Sequence, residues 1–215
     1  MSTRSFEELN YRHPEKSKQF ASIPNRKIIP VGKDMNLTEE ELQLQLSQPQ
    51  KRAGAFSTLV RSYQERLYWH IRKMVLSHED ANDVLQNTFL KAWNGLDGFR
   101  GDSRVSTWLY RIATNETLTF LTNKRMRNLQ SLDDVEDVLL QNLKADNYFD
   151  GNEIQLKLQK AILTLPEKQR LVFNMKYFDD ITYEELEAVL GTSVGALKAS
   201  YHYAVKKIEK YLEED

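Results

Sequence analysis

A chain of 215 residues has room for one large domain or two small ones, and its 40% apolar and 28% charged residues suit a soluble protein with a folded core. The absence of Cys excludes a disulfide framework and a zinc–thiolate site and fits a reducing compartment. The net charge of −1 conceals a strong asymmetry along the chain: residues 100–127 carry a net +4, residues 128–153 a net −6 and residues 198–210 a net +3, which suggests a polyanion as partner of the two basic blocks.

Residues 1–36 are polar, interrupted by Pro14, Pro24 and Pro30, and free of sustained periodicity, so they read as an extended or disordered arm. The opening "MSTRSFEELNYRHPEK" lacks the apolar segment of a signal peptide. No apolar run approaches the roughly 20 residues of a membrane span, and the chain reads as cytoplasmic. "NLTEEELQLQL" then predicts a helix with Thr38 as N-cap and Glu39, Glu40 and Glu41 in its first turn. In "AGAFSTLVRSYQERLYWHIRKMVL", the residues Phe56, Leu59, Val60, Tyr63, Leu67, Ile71, Met74 and Val75 recur at three- and four-residue steps, the mark of a core-facing helix. "SHEDANDVLQNTFLKAWNGL" does the same, with Ser77 as cap and a stripe of Ala81, Val84, Leu85, Thr88, Phe89 and Trp93. Gly95, Gly98 and Gly101 place "DGFRGDSR" on a loop, and a fourth helix is expected from about Val105 to Arg127.

The acidic stretch from Asn128 to Gly151 reads as a flexible linker, although "DDVEDVLLQNL" has helical character of its own. A second helical unit starts near Asn152 with "EIQLKLQKAILTL"; Pro166 opens the next helix at its first position, and Leu171, Val172, Met175 and Phe178 follow at helical steps. No strand pattern occurs. The fold class expected is all-α, with an N-terminal helical bundle over 37–127 and a C-terminal helical domain over 152–215.

Near the end, "TYEELEAVLGTSVGALKASYHYAVKKI" joins two helical patterns. Thr182 and Glu185 have the spacing of a capping box, Gly191 the place of a C-terminal cap, and Ser193 that of the next N-cap. If Leu197, Tyr201, Ala204 and Ile208 face inward, then Lys198, Ala199, His202, Tyr203 and Lys206 face outward. Such a helix-turn-helix lays its second helix in the DNA major groove, with Gly195 permitting close backbone approach and Lys206, Lys207 and Lys210 available to phosphates. The same local pattern also fits a surface helical hairpin with solvated lysines.

Three blocks together narrow the reading. "DANDVLQNTFLKAW", "FRGDSRVSTWLYRIATN" and "TLPEKQRLVF…TYEELEAVLGTSVGALKASYHYAVKKI" resemble, in this order, the bacterial extracytoplasmic-function sigma factors, initiation subunits of RNA polymerase. The resemblance covers about Leu37 to Leu212. It implies that Asp83, Gln86 and Asn87 dock on the clamp helices of the largest core polymerase subunit, where a carboxylate and two amides can pair with polar groups of a partner helix. It implies that Gly101, Asp102 and Ser103 form the pocket for a base flipped from the minus-ten element, with Asn115 beside it and Arg111, Lys124, Arg125 and Arg127 along the phosphates. Trp108 reads as core rather than as a stacking platform. Ser193, Gly195, Lys198, Ala199, His202, Tyr203, Lys206 and Lys207 match the helix-turn-helix that reads the minus-thirty-five element. The family often has Arg where Lys198 and Tyr203 stand here, a departure that argues against bidentate guanine recognition at those positions. An anti-sigma factor is implied as a further partner. The linker suits either a basic polymerase channel or plain solvent.

No cofactor or metal is expected. His13, His70, His78 and His202 lack ligand spacing, and GxxxxGK[ST], GxSxG and GxGxxG are all missing, which argues against an enzyme. A stand-alone helix-turn-helix regulator would need a sensor or dimerisation domain that the first half does not suggest. It would also leave the "DANDVLQNTF" face unexplained. A third reading is a pure interaction protein that binds a partner through the N-terminal bundle alone.

Overall fold

In the computed structural model, residues 37–99, 101, 103–128 and 153–214 are described. Eight α-helices account for nearly all of them, with no strand among the described residues: α1 Glu39–Leu46, α2 Pro49–Val75, α3 His78–Gly95, α4 Val105–Asn128, α5 Glu153–Leu163, α6 Glu167–Tyr177, α7 Tyr183–Leu190 and α8 Val194–Glu214. The all-α expectation holds. The arm expected over 1–36 and the linker expected over 128–151, apart from Asn128 at the end of α4, lie outside the described residues.

Helix ends follow from local chemistry. The Thr38 hydroxyl accepts the Glu41 N–H (3.2 Å) while the Glu41 carboxylate accepts the Thr38 N–H (2.7 Å), a reciprocal cap that satisfies two donors the helix leaves open. Ser77 Oγ accepts the Asp80 N–H at 3.3 Å and starts α3. Two boundaries differ from the sequence expectation. Helix α2 begins at Pro49, four residues ahead of Ala53, because proline fits the first helical position, where its missing N–H costs nothing. Pro166 serves as the N-cap of α6 and not as its first helical residue. Helix α2 stops at Leu76, whose φ of 62° is left-handed; burying its side chain to 2% exposure offsets the strain of that backbone on a non-glycine residue.

Helices α1 to α4 enclose one core containing Leu42, Leu46, Leu59, Tyr63, Leu67, Ile71, Val84 and Leu109. Trp108 joins it at 9% exposure and lies against Phe99 with ring centroids 4.7 Å apart, as expected of a core aromatic. The stripe on α3 is Ala81, Val84, Thr88 and Ala92. Trp93, expected in that stripe, is 41% exposed instead. Ala92 continues the three- and four-residue steps, and Trp93, roughly 100° further round the helix, reaches only the margin, edge-on to Phe56 at 5.0 Å.

A second apolar layer joins the two helical groups. Met74 of α2 packs with Leu171, Val172 and Met175 of α6, Ile181, Leu186 and Val189 of α7 and its approach, and Leu197 of α8; Tyr110, Leu118 and Leu121 of α4 flank it. At its edge Asp179 turns inward. His70 Nδ1 lies 2.9 Å from Asp179 Oδ2, Lys73 Nζ donates to Asp179 Oδ1 at 2.5 Å, and His70 Nε2 lies 3.0 Å from Thr114 Oγ1. Burial raises the Asp179 carboxyl, but the Lys73 charge and the His70 hydrogen bond outweigh it and hold the group below the usual carboxylate range.

Candidate functional site

Helix α3 presents two unlike faces. With Ala81, Val84, Thr88 and Ala92 turned inward, Asp83, Gln86 and Asn87 are exposed. The same outward side continues with Leu90, 55% exposed and four residues on from Gln86, and Trp93, three residues on from Leu90. Sequence reasoning missed the apolar half of this face. Its signal was present: Leu90 falls out of step with the buried positions and in step with Asp83 and Gln86.

Helix α4 and the segment before it form the second surface. Gly101 has a φ of 80°, a conformation that favours glycine. A Cβ there would meet Gln43 Nε2 at 2.3 Å, so the loop backbone passes directly against α1. Ser103 is half-buried, and Asp102 lies outside the described residues. Arg111 and Asn115, one turn apart, are exposed on the same side of α4, while Thr114 and Thr117 are buried on the other. Lys124 Nζ is engaged with Asp80 Oδ2 of α3 at 2.6 Å. The side chains of Arg125 and Arg127 lie outside the described residues. Arg111 and Asn115 thus share one exposed polar face, whereas Lys124 is paired with a carboxylate.

The third surface is α8. Thr182 and Glu185 form the expected reciprocal cap, with the Glu185 N–H on Thr182 Oγ1 (3.2 Å) and the Thr182 N–H on Glu185 Oε2 (3.0 Å). Gly191 ends α7 at φ 63° with its N–H on Glu187 O. Ser193 Oγ then accepts the Ala196 N–H at 3.4 Å, and the Glu187 carboxylate accepts the Val194 N–H at 3.3 Å. The turn between α7 and α8 is therefore held by the caps of both helices. Leu197, Ala204, Val205 and Ile208 of α8 are buried, Tyr201 is half-buried and stacked on Phe173 (5.8 Å, 15°), and burial pushes the Tyr201 hydroxyl up. Lys198, Ala199, His202, Tyr203, Lys206 and Lys207 point outward, as the spacing predicts, with Tyr203 58% exposed. Lys198 Nζ sits 5.6 Å from the Tyr183 ring, and Lys207 Nζ donates to Gln169 Oε1 at 3.1 Å. A Cβ at Gly195 would meet nothing within 4 Å, so the start of α8 is open to a partner.

No group of three or more His, Asp or Glu among the described residues is arranged to hold a metal ion, and no described helix is long and apolar enough to cross a membrane.

Comparison with known proteins matches two regions of the chain. The Sigma-70 region 2 family model matches residues 59–127, which span α4, α3 and most of α2, and the Sigma-70 region 4 model matches residues 155–208, which span the helix-turn-helix. The chain is 31% identical over 186 residues to the RNA polymerase sigma-H factor of Pseudomonas aeruginosa, covering 82% of this chain and 96% of that one. It is 31% identical over 169 residues to the ECF RNA polymerase sigma-E factor of Escherichia coli, covering 74% and 87%. Among solved structures it is similar to CnrH in complex with the cytosolic domain of CnrY, with a TM-score of 0.60, 25% identity, and 81% and 96% of the two chains covered. With both sigma regions matched in order and near-full-length relatives at this identity, the chain belongs to the extracytoplasmic-function sigma factors, which direct promoter-specific initiation by bacterial RNA polymerase.

Proposed function

We propose that this sigma factor divides its work among three surfaces: residues 37–127 bind core polymerase and the opened minus-ten element, residues 128–151 tether, and residues 152–215 read the minus-thirty-five element as duplex. The observation that carries the reading is that α3, α4 and α8 each turn an apolar stripe inward and a polar face outward, on helices that the two sigma regions cover. Asp83, Gln86 and Asn87 of α3 engage the clamp helices of core polymerase, with Leu90 and Trp93 supplying the apolar contact that such interfaces bury at their centre. Gly101, Asp102 and Ser103 hold an unstacked minus-ten base, Asn115 hydrogen-bonds beside it, and Arg111, Lys124, Arg125 and Arg127 follow the phosphates. On α8, Lys198, Ala199, His202 and Tyr203 reach base edges, while Ser193, Gly195, Lys206 and Lys207 fit the backbone.

The chain acts in the cytoplasm and supplies binding energy, leaving bond formation to the polymerase. Its idle surfaces are masked by an anti-sigma factor, a reading supported by the complex of the similar CnrH with the cytosolic domain of CnrY. The deciding experiment is in vitro transcription of genomic fragments by core polymerase with and without the chain. Defined start sites should appear only with it. Asp83→Ala combined with Gln86→Ala should weaken core binding and leave the isolated promoter contacts of α8 unchanged; transcription independent of the chain, or equal loss at both steps, would overturn the division.

A further inference from the structure

Helix α1 lies outside both matched sigma regions, yet it reaches back to grip both ends of the segment that leads into α4. Leu42 and Leu46, fully buried, fix α1 in the core. That leaves Glu39 and Gln43, four residues apart, on the side facing α4. Glu39 Oε1 accepts both the backbone N–H and the hydroxyl of Ser106 at 2.8 Å each. Ser106 is the second residue of α4, so its N–H is one of the donors a helix leaves open, and a carboxylate there also meets the positive end of the helix dipole. Sixty-seven residues of chain separate the partners, so this is a cap supplied from another helix. Gln43 Nε2 donates to Gly101 O at 3.2 Å, packed against the face of the glycine where a side chain would otherwise project. Tyr63, buried beneath, feels the Glu39 charge. Gly101 and Ser106 are thereby each held by one residue of α1.

We propose that Glu39 and Gln43 are positioning residues for minus-ten recognition: α1 sets the shape of the base-receiving segment before DNA arrives. The inference rests on the minus-ten role given to that segment above. A segment whose two ends are already held loses less conformational entropy on binding, and the gain appears only in the step that uses it.

The test uses the full chain assembled with core polymerase, and a promoter fragment mapped by the transcription experiment, presented as a fork whose non-template minus-ten strand is single-stranded. Gln43→Glu keeps the side-chain volume but turns an ionised carboxylate toward the Gly101 carbonyl. It should weaken fork binding by about fivefold, the order of one ordinary hydrogen bond, and flatten the discrimination between the correct minus-ten bases and substituted ones. Gln43→Ala should have a smaller effect in the same direction. Glu39→Ala should behave like Gln43→Glu, and Glu39→Gln, which keeps an acceptor for Ser106, should recover most of the discrimination. Core affinity and binding to a duplex minus-thirty-five fragment should stay at the wild-type level. Unchanged base discrimination in Gln43→Glu and Glu39→Ala would overturn the inference alone, as would losses shared equally by fork binding, core affinity and melting temperature. A wild-type holoenzyme indifferent to the single-stranded bases would overturn the minus-ten assignment together with the inference.

Discussion

Lys198 and Tyr203 stand five residues apart on the outward side of α8, and their surroundings differ. Lys198 is drawn over the Tyr183 ring, whereas Tyr203 projects with 58% of its surface exposed. If both contact base edges, Lys198→Ala and Tyr203→Ala should each shift promoter choice by about 1–3 kcal/mol, read as a ratio between promoter variants. If Lys206 contacts a phosphate, Lys206→Ala should lower affinity for all sequences alike and reduce the salt slope by about one. Tyr63 sets a different limit. Burial, with the nearby Glu39 charge adding to it, pushes its hydroxyl up to about 12. A raised folded-state value means that the stability Tyr63 contributes is fully present below its ordinary 10.0 and disappears as pH rises through about 12. Circular dichroism titrated over that window should therefore show alkaline loss of helix, and Tyr63→Phe, which has no proton to lose, should flatten part of it.

Among the elements, α7 is short enough for its caps to matter. Thr182→Ala removes one half of the reciprocal cap and should cost about 1 kcal/mol in denaturant titration. Gly191→Ala meets no neighbour but puts a Cβ on a left-handed backbone, for about 1–2 kcal/mol. Both caps were legible in the sequence because capping is local: Thr182 and Glu185 are three residues apart, and so are Thr38 and Glu41. The buried stripes of α2 and α8 were legible for the same reason, since periodicity states which side of a helix is wet. It does not state what covers the dry side, nor does it centre a stripe to better than one residue, which is how Trp93 took the place of Ala92. Nor could it foresee Glu39 with Ser106, or His70 with Asp179 across 109 residues, because only the assembled fold brings them together. The outward placement of Asp83, Gln86, Asn87 and the α8 face was legible from spacing; the neighbours that occupy Lys124 and Lys207 were not.

For the molecule as a whole, the layer that joins α2 and α4 to α6 and α7 decides what a free chain can do. The minus-ten and minus-thirty-five elements lie roughly 25 base pairs apart, about 85 Å along the duplex at 3.4 Å per step. Arg104, the residue just before α4, lies 3.6 Å from Glu185 of α7; if the two halves read those two elements, the joined arrangement is too short to span that distance. The halves should separate when polymerase and promoter are bound. Dyes on a cysteine placed in α3 and another in α8, straightforward in a chain without native Cys, should show high energy transfer in the free chain and low transfer in the initiation complex. Asp179→Ala leaves His70 buried without its carboxylate and should weaken the joined state by about 3 kcal/mol, lowering transfer in the free chain. Because the Asp179 value is depressed, its contribution is fully present above the ordinary 3.8 and is lost as pH falls below it. Mild acidification should leave transfer unchanged.

The Asp179 contact is also cheap to undo. When the halves part, a carboxylate and an ammonium recover the hydration that burial had stripped from them, which repays much of the attraction surrendered. Ions at such a seam dictate register more than grip, while the oily contacts around Met74 and Leu186 furnish the adhesion. A joint of this kind should come apart readily under a competing polymerase and, once released, find the same alignment again.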